Sequence, residues 1–196
     1  MGHFQAGLDY SLYQNGLFRT YDYPPLFNSA NLSIRSFVNK GQEKVIGSRD
    51  GLFYINEATG VVKSFVKPVL TSDLILTICF YQGEYYIGTY GGGMMVLNPE
   101  TLSLKYFAQG DTELFQKGHI FCVKPDAKGN LWIGTSQGLF SYNGQTKQIK
   151  SFTSANSQLP EGNVYEVSFD STGKGWIATE TGMCIYCLLY TFDAAD

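Results

Sequence analysis

The chain repeats one phrase, and that repetition limits what it can fold into more than any other feature. Its clearest copy is Trp132-Ile133-Gly134-Thr135-Ser136-Gln137-Gly138-Leu139-Phe140-Ser141-Tyr142-Asn143. Earlier copies read Val45-Ile46-Gly47-Ser48-Arg49-Asp50-Gly51-Leu52 and Tyr86-Ile87-Gly88-Thr89 with Gly93-Met94, and a later one reads Trp176-Ile177-Ala178-Thr179-Glu180-Thr181-Gly182-Met183. The isoleucines at 46, 87, 133 and 177 lie 41, 46 and 44 residues apart, a period proper to propellers and solenoids.

Each copy is hairpin grammar. An apolar triplet ends in a small residue and Ser/Thr, a Gly-terminated turn follows, and a second run reads apolar-x-apolar-Asn. Two more strand-like runs flank each hairpin. Upstream stand 32–37, 74–80, 120–124 and 164–169; downstream stand 61–66, 104–107 and 148–152. No amphipathic helix is expected between copies. Four strands per 40–45-residue period is the content of a propeller blade. The expected fold is therefore all-β, a partial β-propeller of about four four-stranded antiparallel blades. The divisions are 1–30, remnant of a preceding blade; 31–72, 73–118 and 119–162, full blades; and 163–186, an incomplete blade. Gly16 to Tyr21 reads as a third strand, and Pro24-Pro25 breaks the ladder, because proline cannot donate to it. Residues 187–196 leave the repeat and resemble the peptide obtained when a sequencing adapter is translated, so they are set aside from fold reasoning.

Composition agrees with this architecture: 14 Tyr, 14 Phe and 22 Gly against 16% charged residues describe an aromatic, turn-rich β chain. A net charge of −3 with scattered Lys and Arg leaves no electrostatic footprint for nucleic acid. No run approaches the roughly 18 apolar residues of a membrane span, and Met1 to Gln5 shows no signal-peptide pattern.

At this point the residues carry a resemblance. Leu131 to Leu139, with the Asp126 to Gly129 lead-in, the Tyr142-Asn143 exit and the Asn156 to Val164 loop, resembles the two-component regulator propeller repeat. That repeat fills the sensor region of hybrid histidine kinases in Bacteroides-type gut bacteria. The resemblance covers about residues 16–186, with Ala178, Val45 and the extra glycine of Tyr90 to Gly93 as departures. It implies a periplasmic sensor segment of an inner-membrane protein, active in signal transduction and phosphorelay through parts outside this chain, with a homodimer partner in the parent and contact with a membrane only through other regions. An oligosaccharide is the ligand it implies. Two other readings are a cell-envelope scaffold that binds protein partners, as in a secretion apparatus, and a propeller polysaccharide lyase. A cut ring leaves uncovered blade faces, so the segment alone is expected to be poorly soluble or to oligomerise.

Strand direction places the second-to-third turns and the blade-to-blade connections at one end, the mouth. The ligand-binding candidates there are Arg49, Asp50, Tyr90, Ser136, Gln137 and Glu180, which combine planar polar groups with an aromatic platform. No catalytic residue, metal site or cofactor is expected. Of the two histidines, His3 is terminal and His119 immediately precedes a strand. Gly91-Gly92-Gly93 lacks the following helix of a phosphate loop and reads as a lengthened turn. Cys184-Ile185-Tyr186-Cys187 imitates a CxxC motif, but Cys187 falls in the set-aside tail and no second pair exists. Cys79 and Cys122 read as buried free thiols, and Trp132, Trp176 and Tyr86 as inter-blade core.

Overall fold

The computed structural model describes residues 32–186 apart from 109 and 111, together with the backbone of the strands Gly2–His3 (β1), Gly7–Leu12 (β2) and Leu17–Thr20 (β3). Pro24-Pro25 and the tail 187–196 lie outside the described residues. The fold is all-β, a row of antiparallel sheets in which every strand pairs with its neighbour in sequence. β1–β2–β3 is the first sheet, so Gly7 to Leu12 occupies the place where the sequence shows no Ile-Gly-Thr copy.

Three four-stranded sheets follow. The first holds β4 (Ile34–Lys40), β5 (Glu43–Ser48), β6 (Leu52–Asn56) and β7 (Val61–Phe65). The second holds β8 (Ile75–Tyr81), β9 (Glu84–Thr89), β10 (Met94–Leu97) and β11 (Leu104–Tyr106). A helix, α1 (Thr112–Lys117), leads to the third: β12 (Ile120–Pro125), β13 (Asn130–Thr135), β14 (Gly138–Asn143) and β15 (Gln148–Phe152). The last sheet has three strands, β16 (Val164–Phe169), β17 (Gly175–Thr179) and β18 (Gly182–Tyr186). β4, β8, β12 and β16 pack side by side, so the first strand of each blade is its inner edge.

The repeated letters have identifiable jobs. The Ser/Thr that ends each second strand is buried, and its hydroxyl donates to the carbonyl of the turn glycine. The four bonds are Ser48 to Gly51 at 3.1 Å, Thr89 to Gly93 at 2.9 Å, and Thr135 to Gly138 and Thr179 to Gly182, both at 2.8 Å. Those glycines sit at φ of 133°, 69°, 116° and 145°, a region that side chains with a Cβ enter at a cost. The closing Asn makes the next turn: Oδ1 of Asn56, Asn98 and Asn143 each accepts the amides two and three residues on, an Asx turn.

The middle glycine of the phrase is steric. A Cβ on Gly88 would lie 2.7 Å from Ile120 Cγ2, and one on Gly134 would lie 2.7 Å from the Val164 carbonyl oxygen. Gly47 faces Ile75 in the same way. The second strands β5, β9 and β13 therefore press their glycines against the first strand of the next blade, and this contact sets the blade spacing. Between sheets lie mixed aromatic and aliphatic clusters, such as Tyr86, Met94, Phe107, Ile133, Phe140 and Tyr142. At the rim away from the turns, the Tyr81 hydroxyl donates to Gly129 O at 2.6 Å and accepts the Gly144 amide at 2.9 Å, pinning one blade to the next.

Two expectations are corrected. A helix does occur between copies: α1 buries Leu114 and Phe115 in the inter-blade core. It also accounts for the lengthened turn, because the Phe115 carbonyl occupies the space that a Cβ on Gly93 would need. Trp132 and Tyr86 are buried, at 3% and 5% exposure, but Trp176 is 37% exposed. Among the described residues no further sheet lies over its face, which it shares with Met183 and Ile185.

Candidate ligand-binding mouth

One backbone hydrogen bond recurs in the four sheets from β4 onward and fixes where the turns lie. The amides of Arg49, Tyr90, Ser136 and Glu180 donate to the carbonyls of Ser33, Leu74, His119 and Asn163, at 3.0, 3.0, 3.2 and 2.9 Å. Each acceptor immediately precedes or enters a first strand, so turn and strand entrance share a rim. All six candidate residues sit on it. Arg49, Asp50, Gln137 and Glu180 are exposed, Ser136 is half-buried, and Tyr90 is 51% exposed.

Sharing a rim does not make them one site. The turns stand between the second and third strands, away from the inner edge, and no described hydrogen bond or ring contact joins one candidate to a candidate on another blade. Ser136 and Gln137 line a cavity of about 250 Å³ with Thr153, Leu159 and Glu161. Glu180 is committed locally: its Oε2 accepts the Asn163 amide at 3.2 Å and braces the connection at Gly162. Tyr90 alone reaches across, stacking on His119 with centroids 4.0 Å apart and planes 30° from parallel.

The sequence reading missed what lies inside that rim. Each first strand slips register by one residue just after its entrance, between Ile34 and Ser36, Ile75 and Thr77, Ile120 and Cys122, and Val164 and Glu166. The extra residue of such a bulge has no in-register partner opposite it on the neighbouring strand, and its side chain is re-aimed. These residues are Arg35, Leu76, Phe121 and Tyr165. From them a chain of rings builds outward: His119 to Phe121 at 6.1 Å and Phe121 to Tyr165 at 5.1 Å continue the Tyr90 stack. Tyr165 remains 42% exposed and accepts a hydrogen bond at its hydroxyl from Asn163 Nδ2 at 3.1 Å. Beneath Tyr90, His119 Nδ1 is buried without a hydrogen-bond partner. The signal available in sequence was positional: the residue following the first apolar residue of every blade.

The opposite rim is built by aspartates. Asp126 Oδ1 accepts the amides of Lys128 and Asn130, and Oδ2 accepts Asn130 Nδ2 and Trp132 Nε1, at 2.8 to 2.9 Å. Desolvation works against its charge, but the hydrogen bonds from Asn130, Trp132 and Lys128 outweigh it and hold the carboxyl below the usual range. Asp170 repeats the turn with Thr172, Lys174 and Trp176, and the Thr172 bonds lead in bringing it down to about 2. These carboxylates are spent on turns. The cleft of about 510 Å³ between them, which Trp132, Phe152 and Tyr186 also line, is an inter-blade seam. Among the described residues no three His, Cys, Asp or Glu side chains gather as a metal site, and no helix is long and apolar enough to cross a membrane.

Comparison with known proteins follows this geometry. Residues 115–137 match the two component regulator propeller family, the segment from α1 through the phrase Trp132 to Gln137. The chain is similar to the extracellular domain of the putative hybrid two component system BT3049 from B. thetaiotaomicron, at 28% identity and TM-score 0.70 over 95% of this chain and 25% of that one. The extracellular domain of the putative hybrid two component system BT4673 from the same organism shares the fold at 19% identity and TM-score 0.75, over 95% of this chain and 24% of that one. The computationally designed Ika4 protein shares it at 14% identity and TM-score 0.59, over 80% of this chain and 91% of that one. The chain thus spans about a quarter of the natural domains it matches. No curated protein matches it. The repeat, its register and these likenesses together show a run of β-propeller blades, within which residues 115–137 match the two component regulator propeller family.

Proposed function

We propose that this chain is a ligand-sensing segment of the extracytoplasmic, periplasmic region of a hybrid two-component sensor, and that the ligand is a carbohydrate. The observation that carries the reading is the likeness to the BT3049 extracellular domain along almost the whole chain. The rim supports it, because exposed aromatic rings beside amide and hydroxyl groups suit a sugar, whose C–H faces stack and whose hydroxyls need partners. The segment itself performs no chemistry in this reading. Ligand, or contact with a second copy in the parent, favours one arrangement of paired propellers over another, and the change in population reorients the kinase across the membrane.

The test uses the intact gene product that contains this segment, reconstituted in vesicles, with autophosphorylation measured across a panel of host and dietary oligosaccharides. A rise with one glycan class and none with the rest is the expected result. No response to any glycan, combined with stable capture of an envelope protein, puts the scaffold reading in its place. Depolymerisation of a glycan by the purified protein puts the lyase reading there.

A further inference from the structure

We propose that the inner edge of the mouth is an oligosaccharide-binding shelf formed by the bulge residues Phe121 and Tyr165 with Tyr90 and His119. The proposal rests on the carbohydrate-sensor reading and says where on these blades a sugar lies.

The first argument concerns what the scaffold requires. At the entrance of each first strand the paired residue is Ile34, Ile75, Ile120 or Val164, opposite Ser48, Thr89, Thr135 or Thr179. All four entrance residues are buried, because packing dictates them. The next residue is Arg35, Leu76, Phe121 or Tyr165: a cation, an aliphatic chain and two aromatic rings. A position that packing dictated would repeat like its neighbours. A repeated bulge that presents a different side chain in each blade keeps a backbone device while leaving the residue's chemistry unset by packing, and at Phe121 and Tyr165 that residue is a ring.

The second argument concerns rings held in water. Tyr90, His119, Phe121 and Tyr165 make successive contacts at 4.0, 6.1 and 5.1 Å and so cross three blades and two seams. The two ends of the run remain 51% and 42% exposed, although large aromatics contribute most when covered. Asn163 stands at one end, hydrogen-bonded to the Tyr165 hydroxyl. Next to the other end, His119 stacks under Tyr90 with its Nδ1 buried and without a hydrogen-bond partner. Flat apolar faces bordered by amide and hydroxyl groups match a pyranose, and a run over two seams matches several linked sugars.

The experiment titrates the full chain calorimetrically with cellohexaose, xylohexaose and mannohexaose, each separately, and with N-acetyltryptophanamide as a purely aromatic probe. One hexaose is expected to bind. Tyr90→Ala and Tyr165→Ala are each expected to weaken it about 2- to 12-fold, the span of one aromatic stacking contact. Lys174→Ala, on the opposite rim, leaves it unchanged. Hydroxyl-radical footprinting of the unmodified chain gives an independent readout, with protection expected at Tyr90, Phe121 and Tyr165. Protection confined to other surfaces, or affinity within twofold in both tyrosine variants, overturns the shelf and leaves the carbohydrate reading standing. Binding of the aromatic probe alone overturns the sugar class. Binding of nothing overturns both.

Discussion

Adding one methyl group at Gly134 tests whether the middle glycine of the phrase sets blade spacing. The Cβ of Gly134→Ala would lie 2.6 Å from Cys122 Sγ and 2.7 Å from the Val164 carbonyl oxygen. Ordinary contact begins at 3.4 Å, so that carbonyl must retreat about 0.7 Å. It belongs to the entrance of β16, which cannot give way as the end of a flexible side chain can. Overpacking costs about 1–3 kcal/mol, and a backbone obstacle places this case near the top. The lower chain entropy of alanine returns about 0.5–1 kcal/mol. The net is about 2 kcal/mol, or roughly 4–8 °C in melting temperature for a chain of this size. The fourth copy supplies the control. Ala178 already stands at the equivalent position and is only half-buried, so Ala178→Gly relieves no clash and lowers the melt by about 1–4 °C through backbone entropy alone. Thermal unfolding followed by tryptophan fluorescence reads both variants. A Gly134→Ala chain that melts within about 1 °C of the parent refutes the steric account.

Three further outcomes follow from the same contacts. Thr135→Val removes the buried hydroxyl that donates to Gly138 O and accepts the Gln137 amide; a loss of about 1–3 kcal/mol is expected in urea unfolding, and Thr135→Ser should recover most of it. Asp126 and Asp170 have lowered carboxyl pKa values, so their stabilisation is complete above the unfolded value near 4 and disappears as pH falls through the folded value, about 2 for Asp170. Unfolding between about pH 5 and 2 should therefore be shallower in Asp126→Asn and Asp170→Asn. Burial pushes the Cys79 and Cys122 thiols up to about 11 and about 12, whereas Cys184 is only half-buried. Of these three thiols, titration of a native chain carrying Cys187→Ser should label Cys184 first and leave Cys79 and Cys122 until unfolding.

The architecture was legible because a blade announces itself through residues with fixed jobs: Ser/Thr closing a turn, glycine inside the turn, glycine against the next blade, Asn making the exit. Helix α1 was not legible. It has six residues, fewer than two turns, and its two buried side chains, Leu114 and Phe115, are adjacent and trace no helical period. Trp176 misled for a different reason. The residue type is the same as at Trp132, but exposure depends on the sheet that faces it. For the site, strand direction was enough to place the six turn residues on one rim. It says nothing of radial position, which depends on which strand forms the inner edge, and a one-residue slip in pairing leaves no mark on composition.

The contrast between repeated and unrepeated positions extends to the whole rim. Where the blades agree, as at Ser48, Thr89, Thr135 and Thr179, the side chain is at most 8% exposed and is hydrogen-bonded to its own turn. Where they differ, at Arg35, Leu76, Phe121 and Tyr165, the strand register shifts at each copy. The same holds one layer out: the turn residues Arg49, Tyr90, Ser136 and Glu180 share a backbone bond and no side-chain chemistry. A repeat fold separates two demands that compete in an ordinary core. Packing is satisfied by residues that recur every blade, and recognition is left to positions that the backbone geometry holds fixed while their side chains vary. If the proposed shelf holds, a change of ligand is expected from substitutions at exposed positions such as Tyr90 and Tyr165, with stability unchanged to within the roughly 0.5 kcal/mol of an ordinary surface replacement.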